Sequence, residues 1–413
     1  MPALEVLRLP SFAWYFTARS ISWLGTSMVG VALAFAVLGI GDASALAQVL
    51  AARTVALCAC LLVGGAVGDR VSRRLVLQVS HALTALTQGA AAYLLITGQA
   101  EVWHLLVLES LNGAVSAFTM PAMQGIIPQV GPRSPLQQAN SLIAFSRNGL
   151  LVLGPSLGAL LVVTSGPGWA LAINATTYLL ALACLSRLRL PHRPRSGEPT
   201  TMLDELREGW GAFRSRRWLW VIVLAFGVLN AIHTGAWGVL GPVVATSDTH
   251  LGARGWGLAV SAEATGTVLV TLVLLRVPLR RPLLVGVAAI AGFAVPLVSL
   301  GLRAKLWPLL LASMLGGLGM ETFGVGWNLA MTHEIPEHLL SRVSAYDMLG
   351  SFLAMPAGQL AFGWLGSRHD PHLVLLWAAA VFALVSLATL LVRDVRDLRC
   401  DPTAASGTPL SSR

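Results

Sequence analysis

Stretches of about twenty apolar residues recur along the whole of this 413-residue chain, and that repetition restricts the fold more than any motif does. A backbone N–H or C=O inside hydrocarbon has no water to bond, so a helix, which satisfies its own backbone, suits a spanning segment. About 20 residues carry a helix across a core about 30 Å thick. Spans are read near 12–39, 45–68, 75–97, 103–125, 139–164 and 168–186, then near 218–245, 256–275, 283–302, 306–331, 343–365 and 372–392. The expected fold is an all-α integral membrane protein with twelve transmembrane helices in two six-helix bundles. Composition agrees: 55% of the residues are hydrophobic and 11% charged, against roughly 25% charged in a soluble globular chain.

Orientation follows from the Lys and Arg residues, which concentrate in cytoplasmic loops. With the N-terminus inside, the cytoplasmic segments carry 21 of the 28 basic residues and the outer loops four, Arg254, Arg303, Lys305 and Arg368. Both termini are therefore expected in the cytoplasm, at the cell membrane. The formal charge of +9 then faces anionic lipid headgroups, and no nucleic-acid partner is needed to explain it. Cys58, Cys60 and Cys184 fall inside spans and Cys400 in the tail, which reads as apolar filler and not as a disulfide framework.

The hydrophilic stretch 187–217 divides the spans six and six, giving bundles over 1–186 and 218–393, with a disordered cytoplasmic tail over 394–413. Within it "TMLDELREGWGAF" places Leu203, Leu206, Trp210 and Phe213 on one helical face, with Thr201 as N-cap and Asp204 three residues on. This is the pattern of an amphipathic helix under the membrane, with a solvated linker as the alternative. The halves also echo each other. "PAMQGIIPQV" after span four and "NLAMTHEIPEHL" after span ten both end an apolar run in Ile-Pro, as an internal duplication would.

Seven arginine, aspartate and glutamate side chains fall inside spans: Arg19, Arg53, Glu109, Arg147, Glu263, Glu321 and Asp347. Each costs at least about 2.5–3.5 kcal/mol to insert, so each needs a reason. Glu109 has two readings. A carboxylate shielded from water can cycle a proton, and Arg53, at similar depth, can instead hold it as a structural partner. Glu263 and Arg147 differ in depth by about 10 Å at 1.5 Å per residue, too far for a direct pair. Buried acids beside aromatic faces suit an amphipathic or cationic organic substrate. No metal-ligand spacing, phosphate-binding loop or Ser/His/Asp arrangement occurs, so neither an enzyme nor a cofactor is expected, and the protein is expected to be a monomer.

The segment "GGAVGDRVSRR" between spans two and three resembles the loop motif of the major facilitator superfamily, read here as Gly65, Asp69, Arg70, Arg73 and Arg74, with Ser72 in place of the usual glycine. The resemblance implies a cytoplasmic latch between the two halves; simple positive-inside anchoring is the alternative. Gly154, Pro155 and Gly158 in span five resemble the Gly-Pro-x-x-Gly signature of the superfamily's antiporters, although Ala159 stands where a second glycine is common. A packing kink is the alternative there. "LQQANSLIAFSRNG", "INATTYLL", "LREGWGAF" and "HEIPEHLLSRVSAY" are similar to the subgroup that includes the enterobactin exporter and the macrolide efflux proteins.

That resemblance implies a proton-driven exporter of small organic molecules, with spans one, four, seven and ten lining a central cavity. Here those spans carry Arg19, Trp23, Glu109, Asn112, Asn230, His233, Trp237, Glu321, Trp327 and Asn328. Glu109, Glu321 and Glu263 are the candidates for proton coupling. A proton-coupled importer is the rival expectation, and a membrane sensor or scaffold that does not transport is a more distant one.

Overall fold

The apolar runs fold as helices throughout. The computed structural model describes residues 7–70, 72–130, 136–188, 210–247 and 251–400; within these, the side chains of 62–70, 120–122 and 124–130, and several of 136–140 and 337–349, lie outside the description. The first half contains α1 (Pro10–Ile40), α2 (Ala43–Arg70), α3 (Arg73–Ile96), α4 (Val102–Val130), α5 (Leu136–Ser165) and α6 (Pro167–Ser186). The second contains α7 (Arg217–Ser247), α8 (Gly252–Leu274), α9 (Pro282–Gly301), α10 (Leu306–Glu334), α11 (Glu337–Arg368) and α12 (Pro371–Ala388). No strand occurs among the described residues. Eleven of these helices are long and apolar enough to cross a membrane. The long helix outside that set is α4, which is fully described only over part of its length.

Local chemistry marks several helix starts. Pro10, Pro167, Pro282 and Pro371 occupy first-turn positions, where the missing N–H has no intrahelical partner to lose. Ser72 caps α3 by accepting from the Leu75 amide at 3.3 Å, a use for the residue that replaces the motif's glycine. Asp42 and Asp370 cap α2 and α12, accepting from Ala45 at 2.9 Å and His372 at 3.0 Å; such caps are worth about 1 kcal/mol each.

Several helices outrun the apolar segments that predict them. α4 continues to Val130 through Ile127-Pro128, and α11 begins at Glu337, because a helix goes on satisfying its own backbone after the apolar run stops. α10 ends where the sequence echo predicts. Ile335 is extended, at φ −110° and ψ 124°, as the residue before a proline prefers.

The helix-packing pattern repeats between halves. α2 packs on α4, α1 on α5 and α6, and α3 on α6; correspondingly α8 packs on α10, α7 on α11 and α12, and α9 on α12. Glycines set the two closest crossings. A Cβ on Gly113 would overlap the Arg53 carbonyl, and one on Gly317 would overlap the Glu263 carbonyl, so Arg53 of α2 and Glu263 of α8 hold matching places. Small residues permit this approach in membranes, where packing and not hydrophobicity joins helices.

Of the expected amphipathic helix, Thr201, Leu203, Asp204 and Leu206 lie outside the described residues. Its last turn is described, and Trp210 and Phe213 there stack at 5.7 Å and pack on Tyr346 of α11 at 5.4 and 5.9 Å. The expected tail from 394 begins with a packed stretch: Val395 and Cys400 are buried, and the Cys400 amide donates to the Arg280 carbonyl at 3.2 Å.

Candidate functional site

Glu109 is 1% exposed, and three helices supply its partners. Arg53 Nη1 of α2 donates to Oε2 at 2.9 Å, Gln88 Nε2 of α3 donates to Oε1 at 2.8 Å, and Asn112 Nδ2, one turn on, reaches Oε1 at 3.5 Å. Asn174 of α6 donates to Gln88 Oε1 at 3.2 Å, and Thr87 donates to Asn112 Oδ1 at 3.0 Å. The pair therefore sits inside a polar network that ties α2, α3, α4 and α6 together. Buried polar groups need such partners, and this set leaves the carboxylate fully bonded. Of the two readings of Glu109, the structure contains the Arg53 pairing.

The second half holds three further acids, each in a different setting. His233 Nε2 lies 3.5 Å from Glu263 Oε1, within ion-pair distance yet without an aligned hydrogen bond. His233 also opens a π-helical stretch, His233–Leu240, and sits edge-on to Phe293 at 4.8 Å. The extra residue per turn falls where α7 crosses α11 closely: a Cβ on Gly235 would stand 2.6 Å from the Gly358 carbonyl. Such bulges frequently mark functional sites. Trp237, within the same stretch, packs on Trp256 at 4.6 Å and Phe293 at 5.7 Å. Glu321 accepts from Thr271 Oγ1 at 3.3 Å. Asp347 accepts from the Trp327 indole at 3.0 Å and faces Ser351 Oγ at 3.5 Å, while Trp327 packs on Trp218 and Phe323. Asn230 reaches the Ser351 carbonyl at 3.5 Å, and Asn328 is exposed.

In the first half, the Arg19 guanidinium lies 4.1 Å over the Trp23 ring and Nη1 meets the Met123 sulfur. Beside it Ser20 and Ser146 share a 2.7 Å hydrogen bond between α1 and α5.

The halves meet closely at one end, where α1 finishes and α2 begins. Ala43 and Ala47 face Gly363 and Gly366 of α11, and Pro155 and Ala159 face Gly257 of α8. Ser156 and Ser261 bond hydroxyl to hydroxyl at 2.7 Å, and the Ser156 amide donates to Ser261 at 3.2 Å. The Gly-Pro-x-x-Gly segment thus has two faces. Gly154 and Gly158 lie against Ser27 and Met28 of α1, while the Pro155 carbonyl and Ala159 lie against α8. Arg19, Trp327, Asn328 and Asp347 occupy the opposite part of the bundle's height.

Helices paired in this repeat, closed at one end around polar residues at mid-height, describe a transporter. The profile of the transmembrane secretion effector family matches residues 2–407. The chain belongs to that family of the major facilitator superfamily. It resembles the multidrug efflux pump Tap of Mycolicibacterium fortuitum, at 25% identity over 86% of this chain and 88% of that protein. It also resembles the enterobactin exporter EntS of Citrobacter koseri, at 24% identity over 97% and 96%. Among solved structures it superposes on the nucleoside transporter NupG with a TM-score of 0.72 at 15% identity, covering 95% of this chain and 99% of that one. This secretion effector is a membrane transporter and not an enzyme.

The superfamily's loop motif is described in part. Gly65, Asp69 and Arg70 lie in the last turns of α2, their side chains outside the description. Arg73 opens α3, and Arg74 Nη2 donates to the Ser186 carbonyl at 2.6 Å, tying the loop to the end of α6 in its own half.

Sequence reading passed over Thr87, Gln88 and Asn174, and paired neither His233 with Glu263 nor Trp327 with Asp347. Neutral polar residues recur through these spans and carry no formal charge to draw notice, so only their convergence on Glu109 distinguishes them. Glu263 turns to His233 and not to Arg147.

Proposed function

We propose that this protein exports a small organic molecule of the drug, antibiotic, siderophore or related metabolite class across the cytoplasmic membrane in exchange for protons. In this reading α4 is the twelfth span, both termini are cytoplasmic, and the unit is a monomer. The names of Tap and EntS support the direction, and the 21 to 4 distribution of basic residues supports the orientation. The closed end of the bundle is then the outer one, and the cavity opens to the cytoplasm to load substrate.

One observation carries the coupling. Glu263, 3.5 Å from His233, lies on α8 two residues from Ser261, which holds α5 of the other half. A proton on Glu263 removes its attraction for His233 and alters the α7–α8 contact beside the closed end, so proton occupancy biases which end opens. Glu321, with its single 3.3 Å bond from Thr271, is the second carrier. Glu109 remains tied to Arg53, Trp327 and Asn230 line the path, and Trp237, buried against Trp256 and Phe293, stands behind it.

Everted vesicles loaded with a pH dye and exposed to siderophores, macrolides and cationic dyes test this. Glu263→Gln is expected to lower substrate-driven proton release at least fivefold while the protein still inserts. Undiminished release transfers the role to Glu321, and a panel in which nothing collapses the gradient removes the antiport reading.

A further inference from the structure

Arg19 of α1 is partly buried, and its described neighbours are neutral groups. Arg53 has Glu109, but among the described residues no carboxylate lies within ion-pair distance of Arg19. Its contacts are the Trp23 face, the Met123 thioether and Tyr15 within hydrogen-bonding reach. A thioether is a weak acceptor, and Nε, buried, has no partner at all. These contacts replace only part of the hydration a guanidinium gives up, and none of them neutralises its charge.

A second cation makes the arrangement less favourable still. Arg147 of α5 lies within electrostatic reach of Arg19, brought near by the Ser20–Ser146 bond one residue away on each helix. Like charges this close, in a low-dielectric span, repel each other, and a buried charge without compensation is costly. Placement decides what compensates them: Arg19 is only partly buried and Arg147 is exposed.

We infer that Arg19, with Arg147 beside it and the Trp23 ring beneath, forms a subsite for an oxyanion carried by the substrate, a carboxylate, phenolate or sulfonate on an aromatic or otherwise apolar body. The planar guanidinium suits such groups because it donates two parallel hydrogen bonds. Arg19 fixes the acidic end on the first half, and the partly exposed Trp23 ring beside it meets the apolar body. This departs from the cationic substrate that buried acids beside aromatic faces suggest: in the first half the one buried acid among the described residues, Glu109, is already paired with Arg53, and what remains without a counter-charge there is Arg19.

The inference rests on the export reading for the word substrate, yet its test needs neither transport nor a gradient. The full chain is placed in phosphatidylcholine nanodiscs and titrated at equilibrium against fluorescein, an anionic aromatic dye, by anisotropy. Saturable binding is expected, weakened at least about tenfold by Arg19→Gln, the loss of one charge-assisted hydrogen bond. Arg19→Lys, which keeps the charge but loses the planar fork, is expected to bind more weakly than the parent and more tightly than Arg19→Gln, and all three proteins are expected to melt together. No saturable binding by the parent, or parent-like binding by a folded Arg19→Gln, overturns the subsite. Loss of fluorescein binding in Arg19→Lys as complete as in Arg19→Gln, with lowered melting in both, assigns Arg19 to packing. Displacement of the dye by phosphatidylglycerol in the discs, at concentrations that leave the closed end unchanged, gives the site to a lipid headgroup and overturns it as a substrate site. Each of these leaves the proton-release experiment free to succeed or fail by itself.

Discussion

Replacing Glu109 by alanine is expected to destabilise the first bundle by about 3 kcal/mol, and replacing Arg53 by methionine in the same chain is expected to restore more than half of the loss. Removing one partner of a buried ion pair typically costs about 3–5 kcal/mol, because the other charge stays buried and unpaired, whereas removing both together is often nearly neutral. The Arg53 side chain is 35% exposed and Glu109 1%, so some solvent reaches the arginine and the lower end of that range applies. The alanine also strands the Gln88 amide, which donates to Glu109 at 2.8 Å and accepts from Asn174, and so loosens α3 and α6 as well as α2. Unfolding is read by a thiol-reactive dye, since Cys58, Cys60, Cys184 and Cys400 are all free and at least partly buried. A Glu109→Ala protein that melts with the parent shows that the pair is not structural, and it returns Glu109 to the proton pathway. No recovery in the double variant shows that the Gln88 and Asn174 network, and not the ion pair, carries the stability.

This contrast also explains what was legible in the sequence. Apolar length alone predicts the helices, because hydrocarbon admits few ways to satisfy a backbone. Equal depth within neighbouring spans pairs Arg53 with Glu109 from the sequence alone. His233 and Glu263 were open to the same reasoning, being at mid-height of consecutive helices. The attraction of opposite formal charges directed the comparison to Arg147, and a histidine that carries charge only when protonated was passed over. The π-helical turn at His233–Leu240 coincides with the approach of Gly235 to Gly358, 123 positions away along the chain, a contact with no local signature. Closure at one end is likewise a property of two halves in contact. The small residues that permit it, Gly257, Ala159, Ala43 and Gly363, are unremarkable in a chain with 41 glycines.

Gly257→Val is expected to leave the fold intact and to disfavour the state closed at this end by about 100-fold, abolishing export. At this position a Cβ would stand 2.7 Å from the Pro155 carbonyl and closer still to Ala159 Cβ, both on the opposite half. Overpacking of this kind costs about 1–3 kcal/mol, and a branched side chain against backbone belongs at the upper end. The cost falls only on the conformation in which α5 and α8 touch, so it shifts the balance between states by its full amount. A valine at Gly113 meets the Arg53 carbonyl within one half, in every state, and is expected to lower stability instead. Spectroscopic distance measurement between labels on α2 and α11, near Ala43 and Gly366, separates the two cases: Gly257→Val lengthens the distance at unchanged melting temperature, and Gly113→Val lowers the melting temperature. An unchanged distance in a well-folded Gly257→Val protein shows that α5 and α8 part without opening this end, and the gate must then be sought in the α2–α11 contact alone.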